Sequence, residues 1–175
     1  MGIRTNRMEY VLELDTVVAL PNGNAVKPVL LQYDVACPYR IADARFMTED
    51  MILSEVNKWE AVNIRHRAKK HMVAADVLVH NLRVLHNHGI LHNAIHSGNY
   101  TWALELLDFE LSHTPSYPYE QEDYRRHVPG LMPREILQTY DVIIEIATIL
   151  NEDIDYKDID DLFAEYDYDL EQFRV

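Results

Sequence analysis

The segment from His92 to Asp108 holds the side chains whose types and spacing best suit chemistry. Asn99 and Asp108 lie nine positions apart, on either side of a short stretch rich in apolar residues. Amide and carboxylate oxygens are hard ligands of the kind that Mg²⁺ prefers, and Mg²⁺ accompanies nucleotide phosphates. A short hairpin over residues 100–107 would fold this stretch back on itself. Brought together in this way, Asn99 and Asp108 could supply two oxygen ligands to Mg²⁺, and His92 is expected to be a buried scaffold residue rather than an acid or base.

Helices on both sides of this segment must hold it in place. Apolar residues at helical spacing predict a helix over roughly 65–87, and Gly89 is a natural residue to end it. Upstream, Thr48 followed by two acidic residues is typical of a helix N-cap.

The second half of the chain predicts further helices. Residues 112–133 contain four prolines and little periodicity, which indicates a loop. Pro133 opens a strongly periodic helical pattern that runs to about Leu150. The tail, 151–175, carries apolar residues spaced for one more amphipathic helix.

The beginning of the chain predicts strands. Residues 10–14 and 16–20 are rich in residues that favour strands, Asn22-Gly23 is a strong hairpin signal, and 26–35 would be the return strand. Strands followed by helices predict an α+β fold, with N-terminal antiparallel strands ahead of a mostly helical lobe.

Composition and charge exclude several functions. The chain has 175 residues and 48% of them are hydrophobic, which predicts a single domain over 1–175 with a substantial core. The net charge of −13 argues against a nucleic-acid binder. No apolar run reaches about 18 residues, so no membrane span is expected. The lone Cys37 allows no internal disulfide, which favours a reducing, cytoplasmic location.

The charge is unevenly distributed along the chain. Residues 1–100 carry a net charge of +1, whereas residues 101–175 carry −14. A surface that handles an anion such as a nucleotide is therefore expected in the first 100 residues.

The sequence of the loop has a family resemblance. A helix, then His-x₆-Asn, then an apolar stretch ending in Asp-Phe resembles the catalytic loop and metal-binding Asp of protein kinases. Residues 92–99, His-Asn-Ala-Ile-His-Ser-Gly-Asn, resemble the His-Gly-Asp-x-His-x-Gly-Asn loop of aminoglycoside-kinase-like enzymes. The position of the catalytic Asp is taken by Ala94. A kinase-fold family that lacks this Asp is the selenoprotein O (SelO) pseudokinase family.

Other segments also resemble the SelO family. Residues 2–7, Gly-Ile-Arg-Thr-Asn-Arg, are similar to its Gly-Ile-Pro-Thr-Thr-Arg segment. Residues 40–46, Arg-Ile-Ala-Asp-Ala-Arg-Phe, resemble its Arg-Val-Ala…His-Ile-Arg-Phe-Gly segment, two residues shorter. The short spacing from Asn99 to Asp108 also matches the family.

The resemblance implies a function. SelO-like pseudokinases bind ATP in an inverted orientation and transfer AMP to protein hydroxyls. On this model Asn99 and Asp108 hold Mg²⁺, and Arg40 and Arg45 contact the phosphates of ATP. Residues 1–47 would be a strand-rich remnant of the small lobe, and 48–175 a helical large lobe with the catalytic-type loop at 90–110.

The chain also departs from the family pattern. The Gly-rich segment and the ion-pairing Lys and Glu lie upstream of the first matching segment, so the chain is expected to begin after them. Gly98 replaces an acidic residue, and Glu110 follows Asp-Phe where kinases have Gly. An alternative function is therefore a catalytically degenerate kinase-fold module that binds or regulates a partner. An incomplete small lobe would leave apolar surface open, which predicts a protein partner or a homo-oligomer.

Two competing sites are weaker. His86, His88, His92 and His96 are close in sequence and could bind a transition metal, but no carboxylate lies near them in the sequence. Lys27 follows Asn24-Ala25-Val26, which resembles the β3 Ala-x-Lys of kinases, and could pair with Glu49 or Glu55. A solvated lysine on a strand is the other interpretation of Lys27.

Overall fold

The computed structural model describes most of the chain. The described residues are 7–13, 18–19, 25–26, 29–34, 37–109, 111–112 and 121–170, with side chains at 37–109, 111–112 and 130–170. The predicted hairpin turn at Asn22-Gly23, Lys27, and most of the 2–7 segment lie outside the described residues. The division into a small-lobe remnant and a large lobe stays a prediction.

The predicted α+β class, with N-terminal antiparallel strands followed by a mostly helical lobe, is wrong. The described part of the chain is mostly helical, and no sheet forms part of its packed body. Among the N-terminal residues that the structure describes, four extended segments pair two by two: β1 (Arg7–Glu13) with β4 (Val29–Asp34), and β2 (Val18–Ala19) with β3 (Ala25–Val26). Among the described residues no strand makes more than marginal contact with a helix. Two-stranded ribbons without a third strand or a helical partner are marginally stable, so local alternation did not yield a sheet layer.

The described part of the chain contains four α-helices. They are α1 (Glu49–Lys58), α2 (Lys70–Asn87), α3 (Gln121–Ile149) and α4 (Tyr156–Glu165), with short 3₁₀ helices at Ile41–Phe46, Trp59–Val62 and Ser97–Asn99. The predicted cap of α1 is confirmed, because the Thr48 side chain accepts a hydrogen bond from the backbone of Met51. The predicted stop after α2 is also confirmed. Gly89 has φ 69°, a conformation that glycine adopts without strain, and its N–H donates to the carbonyl of His86.

Two helix boundaries differ from the prediction. The helix α2 begins at Lys70 rather than near residue 65, because residues 65–69 form an irregular turn. The helix α3 begins at Gln121 and runs through Pro129 and Pro133, so the predicted loop over 112–133 is wrong from 121 onward. A proline removes one helical hydrogen bond but does not forbid a helix where the remaining turns continue on either side.

The hydrophobic core surrounds α2. This helix packs against α3 and α4, and five consecutive residues at its beginning are buried. The largest fully buried side chains are Trp59, Trp102, Tyr100 and Phe163. The indole N–H of Trp59 donates to the Trp102 carbonyl at 2.7 Å, and the two rings stack with centroids 5.9 Å apart. In the described part of the chain, no helix has the length and apolar character to cross a bilayer.

A charged cluster joins the turn before α2 to the end of α4. Arg65 and Arg67 both pair with Glu165, the last residue of α4, and both lie within 3.8 Å of Asp76 on α2. The Tyr166 hydroxyl donates to Asp76 at 3.0 Å. Part of the basic charge of the first 100 residues is therefore paired with the acidic C-terminal segment.

Glu152, in the turn after α3, caps the start of α2. Its carboxylate accepts hydrogen bonds from the backbone N–H groups of Lys70 and His71, at 2.9 and 2.8 Å, and lies 2.7 Å from Nδ1 of His71. Burial alone would raise the pKa of Glu152, but the hydrogen bonds from His71 and Lys70 outweigh it and lower the pKa. The first turn of a helix leaves N–H groups without helical partners, so this carboxylate stabilises α2 from outside the helix.

We expect Glu152→Gln to lower the free energy of unfolding by about 1–2 kcal/mol, the usual effect of losing a helix cap. Because folding lowers the pKa of this carboxyl, its contribution is complete above the unfolded-state pKa of about 4.3. It is lost as the pH falls through the lower value of the folded state. Urea unfolding at neutral pH and across the acid range measures both effects. Glu145→Gln, at an exposed position on α3, is the matched control. Equal losses in the two variants would contradict this role of Glu152.

Candidate functional site

His92 joins the beginning of the loop to its end. Its Nε2 donates to the carbonyl of Leu107 at 2.8 Å, and its ring meets the ring of Phe109 edge to face, with centroids 4.7 Å apart. The residue is fully buried. Burial lowers the pKa of His92, against the opposing effect of the hydrogen bond to Leu107. A buried neutral histidine that holds two backbone segments together is the scaffold residue that the sequence predicted.

Asn99 is buried and organises the inside of the loop. Its Nδ2 donates to the carbonyl of Ala94 at 2.9 Å, and its backbone N–H donates to His96. Its own carbonyl accepts from the N–H of Leu107 at 2.8 Å. With Nδ2 held by Ala94, the amide oxygen Oδ1 is the side-chain atom of Asn99 that could bind a cation.

A tight hairpin returns the chain from Asn99 to Asp108. Tyr100 and Leu106 form an antiparallel bridge, and the Thr101 N–H donates to the Glu105 carbonyl at 3.0 Å. The Thr101 hydroxyl accepts from the backbone N–H of Glu105, which closes the turn from inside. The short hairpin predicted over 100–107 is therefore present, and it brings Leu107, the residue before Asp108, into hydrogen-bond contact with Asn99.

Asp108 has an unusual backbone conformation. Its φ is 58°, in the left-handed region that non-glycine residues rarely adopt, and its side chain is exposed. The neighbouring residues are fixed, since the Leu107 carbonyl is bonded to His92 and Phe109 packs against the core. Backbone strain of this kind persists only where its surroundings over-determine it, and it often accompanies a functional position. The constraint presents the Asp108 carboxylate to solvent beside the loop.

Glu135, on α3, connects the loop to α2 and α3 by hydrogen bonds. One carboxylate oxygen accepts from the backbone N–H of Asn93, and the other lies 2.9 Å from Nε2 of His86 on α2. The Glu135 side chain is only 1% exposed. A buried carboxylate with these partners fixes the loop relative to both helices, since leaving a buried charged group without partners is costly.

The segment around Arg40 runs beside the hairpin. The N–H of Ile41 donates to the Tyr100 carbonyl at 2.9 Å, and Arg40 forms a bridge with Thr101. The 3₁₀ helix that follows, which carries Arg45, contacts the turn at Ser97–Asn99. The predicted phosphate-binding arginines thus lie on a segment adjacent to the predicted metal ligands. Both arginine side chains are exposed, and the Arg45 guanidinium lies 4.6 Å from the centre of the Phe46 ring.

The loop carries oxygen atoms of the kind that a magnesium ion beside a nucleotide takes as ligands. Mg²⁺ in such sites takes one or two protein oxygens and completes its shell with phosphates and water. Asn99 Oδ1 and the exposed Asp108 carboxylate could supply two oxygens. The alternative histidine site receives no support, because no three His, Cys, Asp or Glu side chains in the described part of the chain converge as a metal site. Glu55, one proposed partner of Lys27, pairs with Lys58 at 2.7 Å.

Sequence reasoning missed Glu135 and Tyr168. Glu135 follows a proline at a predicted helix start, where acidic residues are expected for local reasons, so nothing indicated a contact with a loop 42 residues earlier. Tyr168 lies in the acidic tail and contacts His86 through a buried hydroxyl. The one available signal was the helical pattern, which places Glu135 on the same side of α3 as Ile136 and Thr139. All three residues are buried.

His92→Gln should flatten the pH dependence of stability. A glutamine can still donate to the Leu107 carbonyl, but it does not titrate. Because folding lowers the pKa of His92, the wild type has its full stability above the unfolded-state value of about 6.5. It loses stability as the pH falls toward the folded-state value. Thermal unfolding between about pH 7.5 and 5 measures the difference, with His88→Gln, at an exposed position, as control. An unchanged slope in His92→Gln would contradict the burial of a neutral imidazole here.

Comparison with known protein families and curated proteins assigns the chain to no family. No protein-family model matches the chain, and no curated protein matches its sequence.

Proposed function

We propose that the protein binds a Mg²⁺-nucleotide at the loop of residues 90–110 and, in the manner of SelO-like pseudokinases, transfers AMP from ATP to protein hydroxyls. The observation that carries the proposal is the set of hydrogen bonds that fixes the end of the loop. Leu107 is bonded to both His92 and Asn99, and directly after it Asp108 stands exposed in a strained conformation. This arrangement resembles a kinase-type loop and its metal-binding Asp.

The roles of the residues follow from their chemistry. Asn99 Oδ1 and the Asp108 carboxylate would hold the ion, which neutralises charge on the phosphates. Arg40 and Arg45 are exposed cations on the adjacent segment, and in this proposal they would contact the phosphates. In AMP transfer, the acceptor hydroxyl oxygen forms a bond to the α-phosphorus, pyrophosphate leaves, and the hydroxyl proton passes to solvent or to the leaving group. Catalysis of this kind depends mainly on positioning and on electrostatic stabilisation.

A second candidate function is a binding or regulatory module that has lost catalysis. The observation in its favour is Ala94, which stands at the position of the kinase base and offers no group to orient an acceptor hydroxyl. The neighbouring Asn93 cannot replace it, since an amide is not a base and its backbone N–H is held by Glu135. On this alternative the loop serves contact with a partner protein.

Asp108→Asn tests nucleotide binding. Asparagine has the same shape and tolerates the left-handed backbone conformation, but it removes the charge that a magnesium ligand needs. We expect the affinity for ATP in the presence of Mg²⁺ to fall on the order of tenfold or more, the usual cost of losing a charge-assisted contact. Isothermal titration calorimetry with and without Mg²⁺ measures it.

Asp167→Asn is the matched control for Asp108→Asn. Asp167 is an exposed aspartate with φ 60°, and it pairs with Arg83 away from the loop. Its substitution should leave the affinity for Mg²⁺-ATP unchanged. An equal effect of the two substitutions, or binding of ATP that does not depend on Mg²⁺, would contradict the proposed site.

Ala94→Asp separates AMP transfer from phosphate transfer. In an ordinary kinase mechanism an aspartate at this position orients the acceptor hydroxyl, so the variant should gain phosphate transfer. In the SelO-like mechanism the α-phosphate is attacked, and the added carboxylate should bring no gain. Transfer from ATP labelled at the α- or the γ-phosphate distinguishes the two reactions. If neither AMP nor phosphate is transferred while Mg²⁺-ATP binding is intact, the binding or regulatory module is the function that remains.

A further inference from the structure

A row of buried polar groups connects the C-terminal segment to the loop. Tyr168, which follows α4, places its hydroxyl 2.7 Å from Nδ1 of His86. Nε2 of His86 lies 2.9 Å from one oxygen of Glu135, and the other oxygen accepts from the backbone N–H of Asn93. Tyr168 is 5% exposed, and the side chains of His86 and Glu135 are 2% and 1% exposed. Water is therefore largely excluded from the row, and each member depends on its neighbours for hydrogen bonds.

The Glu135 carboxylate accepts both of its hydrogen bonds, and a neutral His86 ring accepts the third from Tyr168. The N–H of Asn93 can only donate, so Glu135 accepts there. Burial raises the pKa of the Tyr168 hydroxyl, which therefore keeps its proton and can donate to Nδ1 of His86. A neutral imidazole that accepts at Nδ1 carries its proton on Nε2 and donates it to the Glu135 carboxylate. The carboxylate then receives one hydrogen bond from the loop and one from the row.

We propose that Tyr168 is a positioning residue of the candidate site, which acts through His86 and Glu135 on the loop residue Asn93. The row stands on its own contacts, whereas its importance for a nucleotide rests on the proposed function. The hydroxyl of Tyr168 fixes the His86 tautomer that donates to Glu135, and this orients the carboxylate toward the loop.

Asn93 is the position where the loop is sensitive to such an anchor. Its φ of 61° lies in the left-handed region, which asparagine adopts more readily than most residues, and the hydrogen bond to Glu135 helps to hold it there. The next residue, Ala94, has its carbonyl bonded to Nδ2 of Asn99. A displacement of Asn93 is therefore passed on to the predicted metal ligand through a single intervening residue.

Ring packing by Tyr168 has to be separated from its hydroxyl. The ring meets His86 edge to face at 5.7 Å and Phe163 at 6.0 Å, and the Arg83 guanidinium lies 5.3 Å from its centre. Tyr168→Phe keeps these ring contacts and removes only the hydroxyl. Tyr166→Phe is a matched control two residues away, because the Tyr166 hydroxyl bonds to Asp76 and takes no part in the row.

The experiment uses the full chain without nucleotide, observed by NMR. In the wild type we expect His86 to be the neutral Nε2–H tautomer, identified by its imidazole ¹⁵N shifts. In Tyr168→Phe, the Nδ1 signal should move as its donor is lost, and the exchange of the Asn93 amide with solvent should accelerate about fivefold, the size expected for one net hydrogen bond. In Tyr166→Phe, both signals should match those of the wild type. Equal responses in the two variants, or an Nδ1–H tautomer in the wild type, would overturn the proposal.

Titration with Mg²⁺-ATP then separates this proposal from the proposed function. We expect a severalfold weaker affinity in Tyr168→Phe and an unchanged affinity in Tyr166→Phe. If the wild type binds Mg²⁺-ATP and Tyr168→Phe binds it equally well, Tyr168 is not a positioning residue. If the wild type binds no nucleotide but the Asn93 response persists, the proposed function fails while the anchoring of the loop by Tyr168 stands.

Discussion

An irregular segment that crosses a helical core must find partners for its buried backbone groups, and the loop of residues 90–109 depends on this constraint. Helices satisfy their own backbone hydrogen bonds, whereas this loop does so only in part, through its hairpin and the turn at Ser97–Asn99. A few buried side chains form hydrogen bonds with other backbone groups of the loop, and each of these bonds links two segments of the chain. His92 donates a hydrogen bond to the carbonyl of Leu107, and Asn99 donates one to the carbonyl of Ala94. Glu135 accepts one from the backbone N–H of Asn93. The conformation of the loop, including the strained Asp108, is therefore a consequence of side chains that are not themselves exposed.

The distribution of charge supports the same interpretation. The excess of acid lies in the second half of the chain, and part of it pairs with the basic turn before α2 through Glu165 and Asp76. Arg40 and Arg45 lie elsewhere, on the segment beside the hairpin. Arg40 and Arg45 are exposed on that segment, whereas Arg65 and Arg67 have carboxylates as partners.

The sequence predicted local features well and long-range ones poorly. The Thr48 cap, the glycine stop at Gly89 and the short hairpin before Asp108 each depend on neighbouring residues, so their patterns were sufficient. The role of Glu135 depends on a residue 42 positions away, which no local pattern contains. The predicted N-terminal sheet was wrong because alternating apolar and polar residues indicate a strand but not which other element it packs against. The prolines of α3 were interpreted as a loop because a proline was expected to end a helix, whereas helical turns continue on both sides of Pro129 and Pro133.

The most direct test of the central claim is where a paramagnetic ion binds. Mn²⁺ can replace Mg²⁺ beside ATP, and it broadens the NMR signals of residues close to it. The account predicts that, with ATP present, Mn²⁺ broadens the amide signals of Asn99 and Asp108 before those of the acidic helix α4. Broadening that begins at Asp160 and Asp161, or that is the same without ATP, would contradict a nucleotide-dependent metal site at the loop.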